Sequence, residues 1–298
     1  MRLDTHGRMD DNPMLRSKLP QAASVMKDNR NPQAEQMGDA AMVRTLTHQA
    51  DAIWPQEQAL FERYGLSGPL HILDLGCGTG EITRRLAHRY PQASLTGIDI
   101  LPQNLAMARE ASTDYGARIT YAEGDAFALA YEDASFDLVV CRHMSQAVPD
   151  FAHVLDEITR VLRPGGWLHL LSEDYGMLHM PRGARDPDRF WLDNPMVFLD
   201  SVGCDGRIGR HTPPLMERAG YLDIAMDYVI VDTLRVPRAT FAGIIAAWRD
   251  GFAEALAQAT GRELAELVAD FDAMILAIAT PPQYAVWHVP VASGRKPD

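Results

Sequence analysis

The sequence predicts an α/β protein built on a mostly parallel β-sheet with helices on both faces. Three observations carry that expectation. From Leu70 onward, short apolar runs alternate with helical stretches, the rhythm of a parallel sheet covered on both sides. The first run, LHILDL, leads into a glycine-rich turn, GCGTG, that opens a helix. The second run ends in an acid, Asp99.

Residues 1–33 mix charge, proline, asparagine and methionine without a period, and are expected to form a flexible N-terminal arm. From Ala34 to Ile53 the apolar residues recur at helical spacing. Trp54-Pro55 is expected to break that helix, with Pro55 opening a second one that runs to Tyr64. Residues 34–65 are thus expected to be a helical lid ahead of a main domain at 66–298. Within that domain, LHILDL reads as the first buried strand, Glu81 to Tyr90 as a helix and SLTGIDI as the second strand. Pro102 to Tyr115 is the next helix, ARITYAEGD the third strand and FDLVVCRH the fourth. Pro149 to Leu162 is a helix ended by the turn Arg163-Pro164-Gly165-Gly166, and WLHLLSE is the fifth strand. Residues 174–209 loosen into an insert rich in Gly, Pro, Asp and aromatics, a length at which loops are often functional. A short helix, Pro213 to Ala219, precedes the strand YLDIAMDYVIVDTL. A second insert, 238–279, holds two helices rich in Ala and Leu, and YAVWHVPVAS closes the pattern as a strand.

The bulk numbers narrow the function. Of 298 residues, 28 are Lys or Arg and 40 are Asp or Glu, a formal charge of −12. An acidic surface repels phosphate backbones, which counts against nucleic acid as substrate. Cys77, Cys141 and Cys204 are too scattered for a disulfide framework or a zinc pattern. No apolar run reaches the roughly 20 residues needed to span a bilayer, and the first residues lack a signal-peptide core. A cytoplasmic protein without membrane contact is the expectation, and a homodimer stays open.

The turn ILDLGCGTG, Ile72 to Gly80, carries the chemistry. Gly76, Gly78 and Gly80 let the backbone approach a ligand, and the following helix offers free N–H groups. The spacing is G-x-G-x-G rather than the G-x-G-x-x-G of dinucleotide enzymes, which counts against a nicotinamide-dependent oxidoreductase. Asp99, 19 residues after Gly80, can accept both hydroxyls of a ribose. Asp125, in EGDAF, follows the third strand, and VLRPGGWLHL follows the fourth. This ordered set, over roughly residues 70 to 171, resembles the class I S-adenosylmethionine (SAM) dependent methyltransferases. The resemblance implies a Rossmann-like doubly wound sheet of seven strands, order 3-2-1-4-5-7-6 with the last strand antiparallel, here with added helical lid segments. It implies SAM as cofactor and S-adenosylhomocysteine as product. Carried over by position, Asp74, Gly76 and Gly78 would frame the methionine part, Asp99 the ribose and Ile100 the adenine face, with Cys77 and Gly80 of the same turn also counted as cofactor-binding. Asp125 would bind the adenine amine, Ala126 would add a backbone contact, and Cys141 and Arg142 would line the floor near the methyl group.

The family has no single catalytic residue, so the remaining candidates come from position. Ligands of open α/β sheets bind at the carboxyl ends of strands, which selects His143 after the fourth strand and Glu173, Asp174 and Tyr175 after the fifth. A histidine can act as base near neutral pH; its alternative role is to order the loop. Glu173 and Asp174 could hold an amine or be solvated loop acids. Tyr175 could orient a hydroxyl, cover an aromatic ring or simply pack. Arg207, Arg210 and His211 could clamp a carboxylate, and Trp191 and Trp248 could wall a cavity or belong to the core. No metal site is evident. The expected activity is methyl transfer to an oxygen or nitrogen of a small molecule, possibilities extending to a specialised metabolite. A protein or peptide acceptor, or SAM binding without catalysis, is the alternative.

Overall fold

The computed structural model describes residues 30–181 and 186–298. The chain divides into two units, residues 1–30 and 31–298, and the second holds every element below. The arm expected over 1–33 lies, through residue 29, outside the described residues. Its end is packed: Gln33 is buried and its Nε2 donates to the Gln146 carbonyl at 3.2 Å.

Helix α1 (Ala34–Met37) leads to α2 (Ala40–Glu57), whose first turn is capped by the Asp39 carboxylate accepting from the Ala41 N–H at 2.7 Å. The expected break at Trp54-Pro55 is absent. Pro55 sits in the last turn of α2, where its missing N–H forfeits one bond only. Buried Ile53 and Trp54 anchor that turn, and the Gln58 N–H still reaches the Trp54 carbonyl at 3.0 Å. The chain then continues to Tyr64 as a 3-10 turn, not a second α-helix.

Five parallel strands follow, β1 (His71–Leu75), β2 (Ser94–Asp99), β3 (Ile119–Glu123), β4 (Phe136–Arg142) and β5 (Leu162–Leu171). They are joined by α3 (Glu81–Arg89), α4 (Pro102–Ala111) and α5 (Phe151–Val161). β1 and β4 are buried almost throughout, as strands covered on both faces must be. The Arg163–Gly166 segment is a bulge inside β5 instead of a turn before it. The register with β4 jumps there from Phe136↔Leu162 to Leu138↔Trp167, and Gly165 takes φ 72°, a value glycine adopts without strain.

The insert after β5 contains the short strand β6 (Leu178–His179), α6 (Pro187–Asp193) and α7 (Pro195–Ser201). Helix α8 starts at Ile208, five residues ahead of the expected Pro213. Strand β7 (Leu222–Asp232), helices α9 (Arg238–Thr260) and α10 (Leu264–Ala279) and strand β8 (Val286–Arg295) complete the chain. β8 lies antiparallel between β5 and β7. With β6 set aside, the order is the expected 3-2-1-4-5-7-6. The difference is β6, which extends the sheet by pairing Leu178 with Trp287 and His179 with Val286.

Helix α9 backs α2 closely. A Cβ at Gly243 would come within 2.7 Å of the His48 ring, so the absence of a side chain there sets how near the two helices lie. The helices α6, α7, α9 and α10 share one apolar core with β7 and β8, including Trp191, Phe241, Phe271 and Trp287. Among the described residues no helix is long and apolar enough to cross a membrane.

Candidate active site

The glycine turn after β1 is fixed by strand β2. The N–H groups of Gly76 and Cys77 both donate to the Ile98 carbonyl, at 2.8 and 2.9 Å. Gly78 takes φ 52°, and a Cβ there would lie 2.8 Å from Leu46 of α2. The turn is therefore a narrow cradle with α2 above it, and only glycine fits. Asp99 closes the cradle: its Oδ2 accepts from the Gly78 N–H at 2.8 Å and its Oδ1 from the Leu101 N–H at 2.9 Å. Burial pushes its acidity weaker, against those backbone bonds. Each oxygen keeps a lone pair for a further donor.

A cavity opens beside this cradle. Asn31, Gln33, Met37 and Leu46 wall one side, Gly76, Gly78, Asp99, Ile100 and Asn104 another, and Ala126, Arg142, His143 and Met144 the floor. The space measures about 790 Å³ including its open mouth. A smaller pocket shares Gly76, Gly78, Arg142 and His143 with it and adds Asp74, Cys77 and Glu81.

Two residues placed at the cofactor by position, Cys141 and Gly80, face other parts of the fold. Cys141 is fully buried in the sheet, and burial raises its thiol well above the ordinary range. Gly80 faces the Tyr121 hydroxyl and Ala108, so its missing side chain serves helix-on-sheet packing. Asp125 lies between Gly124 and Ala126, which both line the cavity, and its Oδ1 accepts from the Phe127 N–H at 2.9 Å. A further polar group at the cavity is Asn104, 3% exposed on the first turn of α4, with an Oδ1 that no donor reaches. An unpaired buried acceptor costs stability unless a ligand satisfies it. The sequence offers one signal for it, an amide one turn past Asp99 on a helix that must pack on the sheet.

His143 and Glu173 are brought together. β4 and β5 run in parallel register to Arg142↔Leu171, so the residues just beyond each strand become neighbours. His143 Nδ1 lies 2.7 Å from Glu173 Oε1, and both side chains are nearly buried. Nε2 is buried without a partner. His143 has φ 52°, its N–H bonded to the Leu171 carbonyl at 3.0 Å. A non-glycine residue in this region carries backbone strain of about 1–3 kcal/mol, a feature that clusters at functional sites.

The other polar candidates are used internally. Asp174 is fully buried and holds Arg210 through two bonds, 2.5 Å to Nε and 2.8 Å to Nη2. His211 pairs with Asp205 at 2.5 Å. Tyr175 stacks on Trp191 at 5.9 Å, away from the cavity floor, and burial pushes its hydroxyl far up from the usual phenol range.

Beneath the floor lies a charged network that sequence reasoning did not foresee. Glu57, at the end of α2, is fully buried; its Oε1 is 2.9 Å from Arg142 Nε and 2.9 Å from His169 Nε2. The first contact is an ion pair off the hydrogen-bond axis, and Arg142 Nη2 stays unpaired. His169 Nδ1 meets the Tyr64 hydroxyl at 2.7 Å. Burial opposes ionisation of Glu57, yet Arg142 and His169 prevail and hold its carboxyl below the ordinary value.

SAM fits these residues. A nucleoside needs a close backbone cradle, an acid with free lone pairs and a buried polar group at the base; Gly78, Asp99 and Asn104 supply them. Arg142 Nη2 is a free donor for the carboxylate end. Removing the Asp99 carboxylate (Asp99→Ala) should weaken S-adenosylhomocysteine binding by about 1.5–3 kcal/mol, as expected for bonds to a charged acceptor. Asn104→Leu should weaken it by about 1 kcal/mol while raising the melting temperature of the free chain, since it removes an orphaned acceptor. Calorimetry showing unchanged affinity in both would remove these assignments.

Asp74 gives a pH-dependent expectation. It is buried, its Oδ2 accepts from the Thr83 hydroxyl at 2.6 Å, and burial makes it a weaker acid, its pKa pushed up to about 6. The folded state thus keeps a proton that the unfolded chain releases from about pH 4, and stability falls as pH rises between those values. Asp74→Asn keeps an acceptor for Thr83 and should stabilise the free chain by about 1–3 kcal/mol at pH 7, with little difference at pH 4. Thermal melts across that range check it; a pH-independent gap would contradict it.

Residues 73–170 match a family model described as a methyltransferase domain. Demethylmenaquinone methyltransferase of Deinococcus radiodurans is 42% identical over 104 residues, 35% of this chain and 43% of that protein. Ubiquinone biosynthesis O-methyltransferase of Pseudomonas aeruginosa is 34% identical over 144 residues, 43% of this chain and 61% of that protein. The chain spans about half the length of these curated relatives. Among solved structures, phosphoethanolamine N-methyltransferase 2 of Haemonchus contortus, in complex with SAM, matches with a TM-score of 0.57 at 18% identity. That match covers 94% of this chain and 61% of the other. The [4+2]-cyclase SpnF matches with a TM-score of 0.55 at 23% identity over 80% of each chain. At these identities the structures speak for the fold alone. Over residues 73–170 the chain is thus similar to methyltransferase domains, and beyond that segment the likeness to the solved structures is one of fold.

Proposed function

We propose that this chain transfers a methyl group from SAM to an oxygen or nitrogen of a small-molecule acceptor, with His143 as the base. The observation that carries the reading is the buried, unpaired Nε2 of His143 at the cavity wall, with Nδ1 fixed on Glu173. When Nδ1–H donates to Glu173, Nε2 keeps the lone pair that can take a proton. Glu173 holds the ring in that tautomer and stabilises the imidazolium formed. When bound, SAM supplies a methyl group whose C–S bond breaks with its electron pair left on sulfur while an acceptor lone pair forms the new bond. The acceptor proton goes to Nε2 and then to solvent. Gly78, Asp99 and Asn104 bind and orient the donor, and Leu46 and Met37 exclude water from above.

The curated relatives are named for quinone biosynthesis, which supports a small-molecule acceptor; a specialised metabolite is the finer reading proposed here. A protein or peptide acceptor would need an open groove, whereas the wall of α1 and α2 roofs this cavity. Binding without catalysis leaves the free imidazole unexplained. Because one structural neighbour is a cyclase, the reading needs a direct test. The full-length chain, given methyl-labelled SAM and a panel of phenols and amines, should form S-adenosylhomocysteine only with an acceptor present. Cofactor binding with no label transferred to any panel member would favour a non-methylating role.

A further inference from the structure

A second, apolar pocket adjoins the cavity. Tyr175, Trp191, Phe198, Trp248, Phe252 and Phe271 dominate its wall, and the space measures about 360 Å³ including its open mouth. Gln33 lines both spaces and is the partition between them. Ring contacts run without a gap from the base to this pocket: His143 to Trp287 at 5.9 Å, then Trp287 to Trp248 at 5.4 Å. Inside it, Trp191 is 1% exposed and its Nε1 has no acceptor. Trp287 Nε1 is unpaired as well; Trp191 differs in lining this space, where a ligand atom can satisfy its N–H.

Resting on the methyl-transfer reading, we propose that this pocket is the acceptor subsite and takes the ring system of a neutral aryl alcohol whose hydroxyl reaches His143. The wall carries no charged side chain among the described residues, so a buried cation would lack a counter-ion at large cost. Nor do the rings form a cage for one. Tyr175, Trp191 and Trp248 pack on each other at 5.6–6.1 Å. A flat apolar ring suits such a wall, and a polar atom on it can accept from Trp191 Nε1.

The test is calorimetry on the full-length chain saturated with S-adenosylhomocysteine. The probes are 2-naphthol, a neutral aryl alcohol, and tyramine, a phenol with a cationic tail. 2-Naphthol should bind at least about tenfold more tightly than tyramine, a gap matching the burial of one apolar side chain's worth of surface. Phe252→Asp, at the half-buried rim where folding tolerates change, should weaken 2-naphthol about tenfold or more and leave S-adenosylhomocysteine affinity unaltered. Trp191→Phe, which keeps a ring and removes the N–H, should weaken it about threefold to tenfold. Equal binding of the two probes, or unchanged 2-naphthol affinity in both variants, would overturn the pocket assignment. Failure of the wild-type chain to bind S-adenosylhomocysteine while it still binds 2-naphthol would instead overturn the methyl-transfer reading and leave the pocket standing.

Discussion

His143→Ala should lower turnover by about 10²–10⁴-fold, the usual contribution of a positioned general base, while S-adenosylhomocysteine affinity stays near wild type. The separation is expected because the cradle and Asp99 are built on β1 and β2, whereas His143 and Glu173 follow β4 and β5. Glu173→Ala should also cost activity, because the Nδ1 bond no longer fixes the tautomer. If the two act as one unit, the double variant should be hardly worse than His143→Ala alone. Independent roles would instead make their losses multiply. His143→Gln discriminates further: a glutamine can order the loop but cannot accept the acceptor's proton as imidazole does. Recovery of most activity in that variant would make His143 a positioning residue. Near-wild-type turnover in both His143 variants would remove it from the mechanism and leave alignment of the reactants as the source of rate.

The parts of this site legible in the sequence are those made by neighbours along the chain. A strand, a glycine turn and a helix are consecutive, so Gly76, Gly78 and the role of Asp99 follow from spacing and from the rule that ligands sit at strand ends. His143 and Glu173 were each reachable by that same rule, but their contact depends on β4 and β5 being parallel neighbours ending in register. Asn104 was missed because a polar residue in the first turn of a helix reads as a solvated one. Asp125 shows that an acid after a strand can serve a local N–H as well: its Oδ1 takes that of Phe127. In the fold, Pro55 and the Arg163–Gly166 segment misled for one shared reason. Both are local breakers whose effect depends on tertiary packing, which keeps α2 helical through its last turn and folds three extra residues into a bulge. Glu57 carries no periodic signal at all, since its partners lie 85 and 112 residues away in sequence.

That buried acid yields the largest expected change in stability. Glu57→Ala should destabilise the chain by about 3–5 kcal/mol, because it leaves the Arg142 guanidinium buried without its counter-charge. The His169 Nε2–H would lose its acceptor as well. Replacing both charges at once, as in Glu57→Leu with Arg142→Leu, should recover most of the loss, since apolar pairs of similar volume often match buried ion pairs in stability. The sign of the pH dependence is fixed by the direction of the shift. The Glu57 carboxyl is held below its ordinary value in the folded state, so its contribution is complete above the ordinary carboxylate range and disappears as pH falls through the lowered value. The gap between wild type and Glu57→Gln should therefore narrow in acid. Denaturant melts at neutral and acid pH check both points, and a double variant as unstable as Glu57→Ala would contradict the charge-pair account. Function provides the second readout. Arg142 lines the cavity with Nη2 unpaired, so the stable double variant should still bind S-adenosylhomocysteine less tightly than wild type. Full affinity in that variant would mean that Arg142 serves the fold alone, and that the cofactor's carboxylate is met by another donor.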